Sequence, residues 1–343
     1  MIELLNVLYV MTPGASLHIE HGTVRVEVEH ETRLRVALIR LSGIVVLGRV
    51  NLSPYLIQQC AEDGRAIVWL DDRGRFKARV EGSTRGNVLL RRVQHLAVSD
   101  VERTTRIARQ VVAAKIQNSR QVLLRGAREA APGRDADALS DASGRLATSL
   151  LSLRSDPQLD VVRGIEGDAA RAYFGVLDRL VRVDRAAFAM TRRTRRPPRD
   201  RMNAVLSFLY ALLQAECTAA LEGVGLDPYV GFLHTLRPGR PALALDLMEE
   251  FRSVLADRLA LSLINRRQLA VTDFDDLPGG AVHLSDSGRR IVIGGFQRRK
   301  EEVLMHHVLQ QKLPLGLVPH AQARLLARHL RGDLPDYPPY LYR

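Results

Sequence analysis

Lysine, cysteine and aromatic residues are scarce in this chain, and the common phosphate-cradling patterns are missing. Of its 50 basic residues only Lys77, Lys115, Lys300 and Lys312 are lysines. The two cysteines, Cys60 and Cys217, lie far apart in apolar segments, so a disulfide framework is not indicated. No stretch reaches about 18 uninterrupted apolar residues, and the opening MIELLNVLYVMTPGASLHIE has neither a basic start nor a long apolar run. The expectation is a cytoplasmic protein without a membrane partner. No G-x-x-x-x-G-K-[ST] and no strand-borne G-x-G-x-x-G occurs, which argues against nucleotide hydrolysis and dinucleotide binding. There is no G-x-S-x-G elbow for a serine nucleophile either.

What is abundant is arginine. The formal net charge is +12, and guanidinium forks bind phosphate bidentately, so the excess suits a nucleic-acid partner. A GC-rich coding sequence would also write Arg for Lys, but it would not create the net excess. Residues 1–100 hold 13 basic and 11 acidic residues, leaving 37 against 27 for the rest. Phosphate binding therefore belongs mainly to the second part.

The 343 residues favour two domains. From Leu4 to about Ala97 short β-branched runs such as TVRVEVEHE and GIVVLGR carry a strand period. Asp72-Arg73-Gly74 reads as a hairpin turn, and SPYLIQQCAEDG (53–64) as one short helix capped by Ser53, with Pro54 in its first turn and Gly64 at its end. After residue 100 the period becomes helical, with helices expected from 101 to about 130 and near 136–153, 158–184, 200–223, 242–263, 297–312 and 320–331. AVHLSDSGRRIVIGG (281–295) reads as a hairpin. The fold class is thus α+β, with a small β-rich domain over 1–99 and a larger, mainly α-helical domain over 100–343. The stretch TRRTRRPPRDR (191–201) carries Arg192, Arg193, Arg195, Arg196, Arg199 and Arg201. Pro197 and Pro198 break any helix there, leaving a basic loop that is either a phosphate contact or a solvated linker.

Candidate chemistry gathers at three places. Glu166 sits between Gly164 and Gly167, where missing side chains allow close approach. His234 follows PYVGFL and precedes the turn RPGRP. In ALALDLMEEFRSVLADRL, Asp246 and Glu249 share a face whose stripe of Leu243, Leu247, Phe251 and Val254 points to the core. Acids there are costly unless a metal ion or an arginine pairs with them. Carboxylates plus one imidazole suit Mg²⁺ or Mn²⁺, whereas a structural zinc site would want thiolates. Such an ion would polarise a phosphodiester. Each residue taken alone also has an ordinary structural reading, and the choice between Asp246 and Glu249 as ligand stays open.

At these residues the sequence resembles the CRISPR-associated endonuclease/integrase of spacer acquisition, the larger of the two near-universal adaptation proteins, in particular its type I-C branch. The likeness runs through LLNVLYVMTPGASLHIE, RGNVLLRR (85–92), the Gly-Ile-Glu segment 164–166 and NAVLSFLYALLQAEC (203–217). It continues through GLDPYVGFLHTLRPGRPALALDLMEEFR (225–252) and LVPHAQARLLARHLRGDLPDYPPYLYR (317–343). The resemblance implies an N-terminal β domain that forms a homodimer and a helical catalytic domain binding Mg²⁺ or Mn²⁺ through Glu166, His234 and Glu249, with Asp246 as supporting acid. Many relatives have Asp in place of Glu249. It further implies double-stranded DNA, protospacer and CRISPR repeat, as substrate, spacer insertion by 3′-hydroxyl transesterification, and a small ferredoxin-like adaptation partner. The arginines from Arg192 to Arg201 would then track the DNA backbone. Two other readings remain: a DNA-binding scaffold without catalysis, and a junction-cleaving repair nuclease.

Overall fold

The computed structural model describes residues 7–41, 43–71, 76–80, 82 and 88–342. The chain forms two compact units, Met1–Arg85 and Gly86–Arg343.

In the first unit, β1 (Val7–Val10), β2 (Ser16–Glu20), β3 (Thr23–Val28), β4 (Glu31–Ala37), β5 (Gly43–Leu47) and β6 (Asn51–Leu52) precede α1 (Pro54–Glu62). Strands β7 (Ala66–Leu70) and β8 (Phe76–Val80) follow it. One sheet has the order β1-β5-β7-β8 and the other β4-β3-β2-β6. Central β5 pairs in parallel on both sides and is buried throughout, which explains its unbroken apolar run. In β3, Val24 and Val26 point into the core while Arg25 between them does not. Ser53 caps α1, its hydroxyl accepting from the Leu56 N–H at 3.2 Å, and Gly64 ends the turn at φ +69°. Asp72-Arg73-Gly74 lies outside the described residues, although the flanking β7 and β8 pair antiparallel.

The second unit begins with α2 (Val88–Ser99), so the units divide at Arg85/Gly86 and not near residue 100. Leu90, Gln94 and Ala97 form its buried face, but exposed Val88, Leu89 and Leu96 obscure that stripe in the sequence. Next come α3 (Val101–Glu129), α4 (Arg134–Ser152), α5 (Leu159–Phe174), the short α6 (Arg185–Phe188) and α7 (Arg201–Val224). After them α8 (Ala242–Glu249) runs into a π-helical turn, Arg252–Asp257, and α9 (Arg258–Asn265). The hairpin β9 (Phe274–Leu277) and β10 (Ala281–Leu284), α10 (Asp286–Glu301), the hairpin β11 (Val303–His306) and β12 (Gln311–Pro314), and α11 (Val318–Arg331) complete the unit. Helix α7 is long and apolar enough to cross a membrane, yet 61% of its most apolar window is buried in this unit. That is the pattern of a core helix.

Three expectations need correction here. The helix expected over 158–184 stops at Phe174 and gives way to a 3₁₀ turn at Leu177–Leu180. Residues 281–295 are not a hairpin: only 281–284 are strand, and the Ser285 hydroxyl caps α10 by accepting from the Gly288 N–H at 3.3 Å. Gly295, at the end of that stretch, lets α10 approach α9, because a Cβ there would stand 3.0 Å from the Leu263 side chain. The helix expected over 297–312 is accordingly the end of α10 followed by a hairpin.

Candidate metal centre and nucleic-acid surface

Asp246 organises the site. The loop before α8 turns back so closely that a Cβ on Gly231 would lie 2.6 Å from the Ala242 carbonyl carbon and 2.8 Å from Asp246 Oδ2. Only glycine fits that approach. The loop N–H groups then converge on the carboxylate: Phe232 and Leu233 donate to Oδ2 at 2.6 and 3.0 Å, and His234 donates to Oδ1 at 3.0 Å. The same Oδ1 lies 2.7 Å from His234 Nδ1. A carboxylate accepts only, so Nδ1 carries the proton and Nε2 faces away, with its lone pair free when the ring is neutral.

Two further bolts hold this loop. Gln94 of α2 donates to the Asp227 and Val230 carbonyls, both at 2.8 Å, and accepts from the Asp227 N–H at 2.9 Å. Arg163 of α5 donates to the Leu233 carbonyl at 2.8 Å, one helical turn from Glu166.

Glu249, one turn beyond Asp246, is 3% exposed. Its Oε1 lies 3.8 Å from His234 Nε2, and its Oε2 lies 2.7 Å from Lys115 Nζ and 3.0 Å from Arg252 Nε. Burial opposes ionisation of this carboxyl, but Arg252 and Lys115, joined by His234 when its ring is protonated, outweigh it and hold its pKa down to about 2. The Lys115 ammonium also pairs with Glu166 Oε1. Glu166 itself is partly exposed on α5, and a Cβ on either Gly164 or Gly167 would meet nothing within 4 Å. Of a helix or a substrate, either of which small neighbours would let approach, no helix among the described residues fills this place, and the glycines leave open space beside Glu166. Arg252 stacks over Tyr210, 4.5 Å from its centroid. A pocket opens beside these groups, lined by Lys115, Glu166, Arg195, Tyr210, Arg252 and Asp257 among others.

Glu166, His234 and Glu249 are thus brought together, and Asp246 is saturated by backbone donors and the imidazole. Sequence reasoning missed Lys115, and it anticipated an arginine partner for the buried acids without naming Arg252. Lys115 had one signal, a lysine in a chain that otherwise writes arginine. No three His, Cys, Asp or Glu side chains among the described residues already form a ligand cage, because the Lys115 ammonium stands between the carboxylates. The donors nevertheless fit a divalent cation: the place between Glu166 and Glu249 already stabilises positive charge, and an imidazole nitrogen borders it.

The basic stretch is a loop between α6 and α7, but its arginines differ. Arg193 turns inward, donating to Asn203 Oδ1 at 2.7 Å and Ser207 Oγ at 3.1 Å and lying 5.2 Å from the Tyr210 centroid. Arg201 pairs with Asp276 at 3.3 Å, and Arg199 donates to the Gly279 carbonyl. Arg192, Arg195, Arg196 and Arg199 are exposed.

Asp257 lies behind the site, accepting from Tyr210 at 2.7 Å and Tyr173 at 3.0 Å. Burial drives its pKa up to about 6, against those hydrogen bonds and the charges of Arg252 and Arg193. A folded value above the unfolded one means the stability contribution is complete below about pH 4 and is lost as pH rises through about 6. Asp257→Asn should remove a decline of roughly 3 kcal/mol across that window. Urea unfolding of both proteins from pH 4 to 7 checks this, and parallel stability curves would refute it.

An N-terminal unit of two mixed sheets, followed by a helical unit with clustered carboxylates, imidazole and cations, is an α+β architecture shared with solved proteins. It is similar to that of a casposase bound to integration product (TM-score 0.83, 23% identity, 98% of this chain and 94% of that one). It is also similar to a chain of a Cas6-RT-Cas1–Cas2 complex (TM-score 0.81, 22% identity, 98% of this chain and 36% of that one). In sequence, the CRISPR-associated endonuclease Cas1 1 of Moorella thermoacetica is 58% identical over 340 residues, covering 99% of each chain. The chain belongs to the family described as CRISPR associated protein Cas1, which matches residues 8–298.

Proposed function

We propose that this protein is a divalent-metal-dependent DNA nuclease and integrase of CRISPR adaptation, of the type I-C branch. It inserts new spacers by attack of a 3′-hydroxyl on a phosphodiester at the repeat end. The observation that carries this reading is the meeting of Glu166, the Nε2 edge of His234 and Glu249 around one cationic position, beside a pocket that also contains Arg195 and Arg252. Glu166, His234 and Glu249 would hold Mg²⁺ or Mn²⁺. When bound, such an ion supplies Lewis-acid polarisation of the phosphodiester. Asp246 fixes the imidazole tautomer and direction, Arg252 holds Glu249 ionised, and Arg192, Arg195, Arg196 and Arg199 contact the phosphate backbone. The family membership, the 58% identical endonuclease and the casposase solved with its integration product support this reaction class.

By the same reading the protein acts in the cytoplasm as a homodimer joined through its β-rich unit, and it assembles with a small ferredoxin-like protein. The solved complex that includes Cas2 supports that partnership. Incubating the protein with Mn²⁺ or Mg²⁺ and a repeat-bearing duplex, with a branched junction compared in parallel, tests the proposal. Strand-transfer product is expected only with the metal and is lost in EDTA. Salt-sensitive binding without product would indicate a scaffold, and preferential junction cleavage a repair nuclease.

A further inference from the structure

Two cations neutralise the carboxylates of the site, and they are held very differently. Arg252 is fixed: it is buried, pairs with Glu249 and has its guanidinium carbon over the Tyr210 ring, 4.5 Å from the centroid. Lys115 reaches the site from α3 on a flexible four-carbon stem, with side-chain exposure of 14%, at the wall of the open pocket. Its ammonium joins Glu166 to Glu249. With Lys115 and Arg252 both in place, two carboxylates already face two cations. Even with the Asp246 carboxylate counted, a divalent ion added to that set would leave net positive charge in a half-buried site, and it would have to take the carboxylate oxygens that Lys115 already holds. One resident cation must leave, and only the lysine is built to move. A compact point charge at this place, in a chain that uses arginine 46 times and lysine four times, suits an exchangeable counter-ion better than a planar, stacked guanidinium would.

We propose that Lys115 is the resident counter-cation of the centre, holding Glu166 and Glu249 together in the metal-free protein and competing directly with the divalent ion for them. The inference rests on the proposed metal site and deepens it. It places a barrier to metal binding inside the protein: the ion displaces the ammonium from Glu166 Oε1 and Glu249 Oε2 as it binds.

The test is Mn²⁺ titration of the full chain, reading the free aqua ion by electron paramagnetic resonance, for wild type, Lys115→Met and Lys115→Gln. Removing the competitor should tighten Mn²⁺ binding by about tenfold or more. Both variants should melt lower than wild type without metal and gain more from Mn²⁺ than wild type does. Unchanged or weaker Mn²⁺ binding in folded variants overturns the inference while leaving the metal site standing. Absence of Mn²⁺ binding in all three proteins overturns the metal site itself, and the inference with it. Should neither variant fold, reductive methylation of the wild type decides. Labelling of Lys115 is expected to rise with saturating Mn²⁺ while Lys77, Lys300 and Lys312 serve as internal references, and unchanged labelling of Lys115 refutes the exchange.

Discussion

Replacing Glu249 with glutamine is expected to reduce divalent-dependent cleavage and strand transfer by about 10³-fold or more, the scale on which charge stabilisation at a reacting phosphodiester operates. The substitution keeps shape and volume but removes the charge that faces His234, Lys115 and Arg252 at once. It should also cost stability, because Arg252 is buried and would lose its anion, a change worth roughly 3–5 kcal/mol when a buried pair is broken from one side. Activity must therefore be compared at a temperature where both proteins are folded by circular dichroism. Glu249→Asp keeps the charge on a shorter arm and is expected to retain part of the rate. The neighbouring glutamate supplies the control. Glu250 points the other way, accepting from the Tyr337 hydroxyl at 2.5 Å, the Tyr340 N–H at 2.6 Å and Gln322 Nε2 at 3.1 Å. Glu250→Gln should therefore alter how the C-terminal tail is held and leave metal dependence intact. A Glu249→Gln protein with wild-type cleavage in Mn²⁺ would remove this residue from the site.

Much of this arrangement is legible in the sequence, and the unreadable parts share a cause. Strand alternation and the Ser53-Pro54 cap are local signals, so the β-rich unit and α1 follow from them. The α8 stripe is local too: Leu243, Leu247, Phe251 and Val254 are all buried as their spacing requires. What escapes is whatever a distant contact decides. Helix α2 earns its place by bolting Gln94 onto the loop at Asp227 and Val230, more than 130 residues away. The stretch 281–295 reads as a hairpin until α9 is packed against Gly295. The π-helical turn after α8 breaks what periodicity alone makes one continuous helix, and such turns recur at functional sites. Lys115 shows the same limit at the site: nothing nearby in sequence says that its ammonium ends between Glu166 and Glu249. The open choice between Asp246 and Glu249 is a question of direction along one helical face. Asp246 faces the loop N–H groups, whereas Glu249 faces Lys115, Arg252 and the far edge of the imidazole.

That difference in direction leads to the second large effect. Asp246→Asn should lower metal affinity or activity by about 10- to 100-fold without touching the metal or the DNA, as is typical for residues that orient an imidazole ligand. The asparagine cannot satisfy its surroundings in either orientation. The Phe232 and Leu233 N–H groups donate to one carboxylate oxygen, and the His234 N–H and Nδ1 contact the other. Whichever side receives the amide NH₂ then faces donor against donor. If that side is His234, the Nδ1 proton loses its acceptor and the tautomer that leaves Nε2 unprotonated is no longer selected. If it is Phe232 and Leu233, two buried N–H groups go unpaired, at roughly 1–3 kcal/mol each. A double-mutant cycle separates positioning from simple destabilisation. In a His234→Ala background there is no ring to orient, so adding Asp246→Asn should produce little further loss of Mn²⁺ affinity or rate. If the two losses multiply instead, Asp246 acts only through the stability of the loop, and its part in directing His234 is refuted.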